Sequence, residues 1–321
     1  VINDTGKPLS ELARVMEVLP QALVNAKVPA DKKNSYMEGR VVKIHKYSER
    51  RSEAFCSHYG VCGGCKWQQL PYSEQIAYKR QQVIDNLTRI GHLELPEVAE
   101  TLGSENTERY RNKLEYTFSN KAWLTFEQMN LPDEEKPHNA LGFHIPGMFD
   151  KVLHIENCYL QDSLSDEIRN ALHKYCQDNN LTYFDLHNQN GLMRNLIVRI
   201  SATTDEVMVI VAFYEKSDKI EPLLQFLADK FPQITSLLYV INGKANDTLF
   251  DQDIKVFKGK DHIIETMENL RFKIGPKSFY QTNSRQAYRL YSVVRQFANL
   301  NKDELVYDLY TGTGTIANFV A

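Results

Sequence analysis

The sequence predicts a multidomain chain of mixed α/β and α+β class, and three observations carry that prediction. Its 321 residues suffice for two or three domains, and 42% hydrophobic with 25% charged residues is the balance of a soluble globular protein. Between Leu192 and Ile241, runs rich in Val and Ile alternate with a helical pattern, as in a sheet with helices packed on it. Near the last residues, an apolar run holding Asp308 passes through Thr311-Gly-Thr-Gly-Thr into a helix start. Strand, glycine turn and helix in that order form either a nucleotide- or cofactor-binding edge or simply a tight strand-to-helix turn.

Taken in order, residues 1–50 read as a small β-rich domain whose first part has poor periodicity, as an incomplete domain would. Gly39-Arg-Val-Val-Lys-Ile-His alternates apolar and polar residues, which predicts a strand with a basic face, and Lys43 and Lys46 are candidate RNA contacts. Such a face is either simply solvated or the edge of a small barrel touching a phosphate backbone. Cys56, Cys62 and Cys65 follow within ten residues, with Gly60, Gly63 and Gly64 between them. Crowded thiolates repel and oxidise, so the pattern points to a metal site, and glycines let the chain turn tightly enough to aim the sulfurs together. Cys158 is the candidate fourth ligand, while Cys176 falls in a helical pattern and reads as a small buried residue. Spacing alone leaves zinc and an iron–sulfur cluster both open.

From Tyr72 to Ile90, Ile76, Val83, Ile84, Leu87 and Ile90 share a helical face, with Ser73 a candidate N-cap and Gly91 a candidate stop. Arg109 to Phe118 alternates as a strand, placing Arg109, Arg111 and Lys113 on one basic side as candidate RNA contacts. A loop is expected from Leu131 to His138 and extended chain from Leu141 to Cys158. Ser163 to Asn179 reads as an amphipathic helix. Strands are expected at Leu192–Ser201, Val207–Tyr214 and Ile234–Ile241, with a helix over Lys219–Phe231 between the last two. The Phe279-Tyr-Gln281-Thr-Asn segment is a loop entering a helix from Ser284 to Leu300, and Glu304–Tyr310 is a short strand. One strand and one helix cannot complete a doubly wound domain, so its C-terminal part is expected to be missing.

Net charge is 38 minus 41, or −3, so any nucleic-acid contact must come from a local patch. No apolar run is long enough to span a bilayer and no secretory signal opens at Val1; no membrane partner is expected. An odd cysteine count, with three crowded together, fits a reducing cytoplasm.

Four features now stand in order: C-x5-C-G-G-C, Ile-Glu-Asn-Cys158, Pro-Lys-Ser-Phe279-Tyr-Gln281-Thr-Asn, and Asp308-Leu-Tyr310-Thr-Gly-Thr-Gly-Thr315. Over roughly residues 33–321 the chain resembles the iron–sulfur RNA (uracil-5-)methyltransferase family, whose members modify large-subunit ribosomal RNA. The resemblance implies an OB-like TRAM barrel over residues 1–50. It implies a central α/β domain with a 4Fe–4S cluster over 51–71 and 104–270. A Rossmann-like, S-adenosylmethionine-dependent methyltransferase domain would comprise 72–103 and 271–321. It implies cluster ligation by Cys56, Cys62, Cys65 and Cys158. Donor contacts would come from Gln281, Tyr310 and Thr315, with Asp308, Gly312 and Gly314 shaping the pocket, and Phe279 would lie beside a flipped base. Thr311 stands where many relatives have Cys or Ser. The implied activity is methylation of the fifth carbon of a uridine in 23S ribosomal RNA by Michael addition, in a cytoplasmic monomer. The nucleophilic cysteine and the base are expected C-terminal to Ala321, so the catalytic residues are unknown here. Competing readings are a tRNA uracil-5-methyltransferase, a non-catalytic RNA-binding module with a zinc site, and a radical methyl-donor enzyme. The x5 spacing counts against the last, since such enzymes use C-x3-C-x2-C.

Overall fold

The structure, a computed structural model, describes Leu23–Lys27 and residues 40–321. It separates into two compact units. The first comprises residues up to Tyr59 together with Cys65–Gly103; the second comprises Gly60–Gly64 and Ser104–Ala321.

In the first unit, β1 (Leu23–Lys27) pairs antiparallel with β2 (Arg40–Lys46), the strand expected from its alternation. The rest of the expected barrel lies outside the described residues. Helix α1 (Tyr72–Asp85) continues into a π-helical turn, Asn86–Ile90. Its N-cap is Pro71 rather than Ser73; proline has no N–H to leave unsatisfied and its fixed φ suits a helix entry. Gly91 stops the helix, but at φ −76° rather than in a left-handed cap, because its N–H reaches back to Asn86 O in the wider turn. Arg50 anchors the helix through Glu74 at 2.7 Å, and the Arg80 guanidinium gathers the carbonyls of Val98 and Ala99.

The second unit is built on a seven-stranded sheet. Its strands are β3 (Lys113–Ser119), β4 (Ala140–Ile145), β5 (Met148–His154), β6 (Met193–Ile200), β7 (Val207–Phe213), β8 (Ile234–Ile241) and β9 (Ile254–Gly259). Their order is β5-β4-β3-β6-β7-β8-β9, and only the β7–β8 pair is parallel. The helix between β7 and β8 provides that crossover, which parallel pairing requires. Three further helices precede or form it: α2 (Phe126–Met129), α3 (Ser163–Asp178) and α4 (Ile220–Lys230). A separate hairpin joins β10 (Ile263–Met267) to β11 (Leu270–Ile274), followed by α5 (Ser284–Ala298) and α6 (Thr315–Val320).

Period-two alternation along β7 explains why this sheet is covered on both faces. Val207, Val209, Val211 and Phe213 enter a core with α3 and α4, including Ile168, Leu172, Leu223 and Leu227. Met208, Ile210 and Ala212 enter a second core with Phe272, Tyr280, Tyr291 and Phe319 from the hairpin and α5–α6 side. A strand apolar at every position is what burial on two faces demands. Cys176 is fully buried in the first core, the structural place expected of it.

Two expected elements differ. The strand expected from Arg109 begins at Lys113, because Arg109 turns at φ +53° and the N–H groups of Arg109 and Arg111 bond Tyr159 O and Leu160 O instead of a ladder. The expected strand Glu304–Tyr310 is irregular and exposed; a lone extended segment needs a ladder partner, and none pairs with it among the described residues.

Candidate functional site

The glycine turn is organised by Asp308. Its Oδ2 accepts from Thr311 Oγ1 at 2.9 Å and from the Ala317 backbone N–H at 3.2 Å. The second bond satisfies a donor of the first turn of α6, so a residue six positions before the N-cap does the work of a capping side chain. The N-cap itself is Gly314 at φ +70°, a left-handed conformation that glycine adopts without penalty. Gly312 is also left-handed, at φ +58°, and a Cβ there would meet nothing within 4 Å. Its Cα therefore borders open space that a ligand can approach. Tyr310, two residues before it, is left-handed at φ +62° and fully exposed. Thr315 is buried, and its hydroxyl lies 3.4 Å from Tyr291 OH on α5.

The second loop, Phe279–Asn283, is held from both ends. Arg199 donates to Ser278 O at 3.1 Å, and Asn283 caps α5 by accepting from the Gln286 N–H at 3.0 Å. Between these anchors Asn112 donates to Gln281 O and to Ser284 Oγ, each at 2.9 Å. Ser284 in turn donates to Glu265, which also accepts from the Ala202 N–H and the Thr203 hydroxyl. Tyr280 is buried, with burial pushing its phenol well above the usual range and Glu265 adding to the effect. Phe279 points the other way and is 70% exposed, so it is not a core residue. Gln281 is half-buried and does not cap the helix, that role belonging to Asn283.

These two loops, remote in sequence, meet: Thr313 Oγ1 donates to Phe279 O at 3.3 Å. Gln281, Phe279, Gly312 and Thr315 therefore belong to one locality. The part that sequence reasoning missed is its support. Asn112, Arg199, Glu265 and Tyr291 lie on other elements and carry no motif; only Arg199 and Glu265, polar residues within apolar runs, carry a signal that could have singled them out.

The basic residues are not equivalent. Arg109 Nη1 pairs with Asp166 at 3.3 Å and donates to Gln161 O at 2.8 Å. Arg111 lies before the strand, with Nε 3.4 Å from Lys113 O, and Lys113 pairs with Glu115 at 3.6 Å. The shared strand face expected for the three is therefore absent. Lys43 and Lys46 are exposed on β2, Lys46 beside Glu49 at 3.6 Å.

Among the cysteines, Cys56, Cys62 and Cys65 are half-buried and Cys158 is buried; none of the four is in a disulfide. Gly63 packs so closely on β4 that a Cβ would meet His144 O at 2.4 Å, and Gly64 N–H donates to Cys62 Sγ at 3.4 Å. The Cys158 N–H donates to Asp166 Oδ1 at 2.9 Å. In kind, the donor set suits a thiolate-ligated metal or cluster. Among the described residues, no three or more His, Cys, Asp or Glu side chains converge into a metal site.

A comparison with models of known protein families gives no match. Among curated proteins, an uncharacterized RNA methyltransferase of Bacteroides thetaiotaomicron is 57% identical over 307 residues, covering 95% of this chain and 67% of its own length. One of Porphyromonas gingivalis is 55% identical over 295 residues, covering 90% and 63%. Another, from Staphylococcus aureus, is 31% identical over 324 residues, covering 100% and 68%. The chain thus spans about two thirds or less of the length of the first two. Among solved structures, Pyrococcus abyssi tRNA (uracil-54, C5)-methyltransferase in complex with S-adenosyl-L-homocysteine shares the fold. Its TM-score is 0.63 at 24% identity, over 94% of this chain and 63% of that one.

Proposed function

The chain belongs to the RNA methyltransferases, and from that premise we propose that it methylates the fifth carbon of a uridine in 23S ribosomal RNA. One contact carries the reading: the hydrogen bond from Thr313 to Phe279 O, which joins a glycine turn suited to a nucleoside-bearing ligand to an exposed aromatic and an amide. A non-catalytic binding module has no need of that pairing. S-adenosylmethionine, when bound, supplies an electrophilic methyl group. Gln281, Tyr310 and Thr315 would hold it, with Gly312 leaving backbone room and Asp308 fixing the turn. A stacked uridine cannot offer its ring carbons, so the base must leave the stack, and Phe279 gives it a face to lie against.

None of the five cysteines is the nucleophile of this reading. Cys176 is sealed in the core, and burial pushes its thiol far above the ordinary range. The other four are proposed ligands of a 4Fe–4S cluster whose role is structural, since four thiolates leave no open iron position for substrate. Anaerobically purified protein should carry iron and acid-labile sulfide, and Cys62→Ser should lose both; stoichiometric zinc instead would overturn the cluster. Arg111 and Lys113, with Lys43 and Lys46, are the proposed cationic contacts to RNA in a cytoplasmic monomer, whereas Arg109, also expected there, is held by Asp166.

The test is methyl transfer by the full-length protein from labelled S-adenosylmethionine to transcripts of 23S ribosomal RNA and of tRNA. The expected product is 5-methyluridine in the ribosomal transcript. Product confined to tRNA would favour the second reading, a tRNA uracil-5-methyltransferase, which the likeness to the Pyrococcus abyssi enzyme keeps in play. Product in neither would sink both. Gln281→Ala should reduce methyl transfer far more than RNA binding.

A further inference from the structure

We infer that the cavity at the first turn of α5 seats a single backbone phosphate of the RNA strand, held by Arg111 and Arg285. The inference rests on the reading of this chain as an RNA-modifying enzyme. The cavity measures about 240 Å³, and its wall includes Asn106, Arg111, Asn112, Asn283 and Arg285. Arg109 also lies on the wall but is committed to Asp166 and to the carbonyls of Cys158 and Gln161. Arg111 and Arg285 have no acidic partner among the described residues; Arg111 gives only its Nε, to Lys113 O. The one acid on the wall, Asp162, turns Oδ1 to the Leu164 N–H, where it caps α3.

Three physical terms then favour an anion. Two guanidinium forks match the oxygens of a phosphate and can each bond it through two N–H groups. The amino end of α5, a 15-residue helix with no acidic residue in its first turn, adds positive potential. Three neighbouring side-chain donors are spent: Asn112 Nδ2 on Gln281 and Ser284, Asn283 Nδ2 on Ser104, and Ser201 Oγ on Ile264 O. The wall therefore has charge to give and little neutral donor capacity.

Position supplies the function. Asn112 is part of the wall and also bonds Gln281 O, and Asn283 of the wall is two residues from Gln281. A phosphate seated here is referenced through one side chain to the loop proposed to read the target base. Phosphate contacts set register and base contacts set sequence. The seat would thus fix which nucleotide of the strand comes opposite Phe279 and Gln281, without reading its neighbours.

The experiment measures binding of two short single-stranded oligoribonucleotides of unrelated sequence to the full-length protein over a range of salt. Arg285→Ala and Arg111→Ala should each lower affinity roughly tenfold for both sequences, the scale of a charge-assisted hydrogen bond. Each should also flatten the slope of log affinity against log salt by about 0.7, the value for one phosphate on a single strand. The double variant should flatten it no further, because both arginines hold the same phosphate. An unchanged slope, a double variant that loses twice as much, or a loss of S-adenosylhomocysteine affinity in place of RNA affinity would overturn the seat. If the wild type binds neither oligoribonucleotide but takes up pyrophosphate that Arg285→Ala rejects, the seat stands and the RNA reading falls. If it binds none of these probes, the seat falls as well. Unchanged thermal unfolding of Arg285→Ala, expected for an exposed side chain, makes each loss one of binding.

Discussion

Replacing Asn112 is the sharpest test of how the loop is held. Asn112 is 5% exposed. Its backbone N–H donates to Thr282 O at 2.7 Å and its carbonyl accepts from Ile200 N–H at 2.8 Å. Neither bond depends on the side chain. The side chain adds two more, to Gln281 O and Ser284 Oγ. Asn112→Ala deletes both, and at roughly 0.5–1.5 kcal/mol net for each bond the loss should be about 1–3 kcal/mol. Asn112→Asp keeps the shape but turns a donor into an acceptor. Its carboxylate would face Gln281 O and compete with Glu265 for the single Ser284 hydroxyl proton. That sets a buried charge against a carbonyl and a carboxylate, so Asp should cost about 3 kcal/mol or more at neutral pH, exceeding Ala. The sign with pH follows. Burial and Glu265 would raise the folded-state pKa of the new carboxyl above its unfolded value, so the folded state binds more protons and the deficit shrinks as pH falls. Urea unfolding at several pH values measures both effects, and calorimetry with S-adenosylhomocysteine should register weaker binding for both variants. If Asn112→Asp is as stable as the wild type, or more stable than Asn112→Ala at neutral pH, the hydrogen-bonded account of the loop is wrong.

Other outcomes follow from the same geometry. Burial holds the His173 imidazole down to about 3, with His154 stacked on it at 4.1 Å and Arg169 nearby reinforcing the shift. The unfolded chain takes that proton near 6.5, so stability should fall by up to about 1.4 kcal/mol per pH unit between about 6.5 and about 3. His173→Gln should flatten that limb of a urea-midpoint titration, and an unaltered limb would assign the acid sensitivity elsewhere. Gly142→Ala should cost about 3 kcal/mol or more, because overpacking against backbone has no soft direction in which to relax. Its Cβ would lie 2.0 Å from Leu153 O and 2.8 Å from Ile155 Cγ1, and an unshifted midpoint would contradict the β4–β5 register. Phe279→Ala should leave unfolding unchanged, since the ring is exposed, while removing roughly 1–3 kcal/mol of RNA binding as loss of a stacking partner; full retention of RNA affinity would place the target base elsewhere.

What the sequence made legible was whatever is local. Helix α3 and strands β6, β7 and β8 matched their expected ranges within a residue, because their periodicity is long and their burial uniform. The hairpin β10–β11 escaped because its two-residue turn is Glu268-Asn269, with Glu268 at φ +52° in place of the usual glycine. The middle domain was expected as α+β or α/β; one parallel pair within a mostly antiparallel sheet decides between them, and strand direction leaves no mark on composition. In the site, the two loops announced themselves through glycine, Asp308 and an odd polar–aromatic run. That they touch did not, since Thr313 and Phe279 are 34 residues apart. Arg109 illustrates the converse: its alternation with Arg111 and Lys113 suggested a binding face, but a buried carboxylate from a helix 57 residues later claims it.

That carboxylate explains why Arg109 and Asn112 are close together in the chain. Asp166 accepts from the Cys158 N–H, from Arg169 at 2.8 Å and from Arg109, so one buried acid orients the backbone of the cysteine proposed as fourth ligand. Two arginines converge on that one carboxylate, and Arg169 is itself fixed over the Tyr116 ring and on Glu156 O. Arg109 then grips Cys158 O and Gln161 O, the Arg111 N–H takes Leu160 O, and Asn112 takes Gln281 O. Four consecutive residues thus bond the Cys158 segment at one end and the loop bearing Phe279 and Gln281 at the other. Over so short a stretch a displacement has nowhere to dissipate. The cluster proposed at Cys158 would therefore act on the loop bearing Phe279 and Gln281 through backbone carbonyls, and its loss should disturb the geometry around Gln281 before it unfolds the sheet.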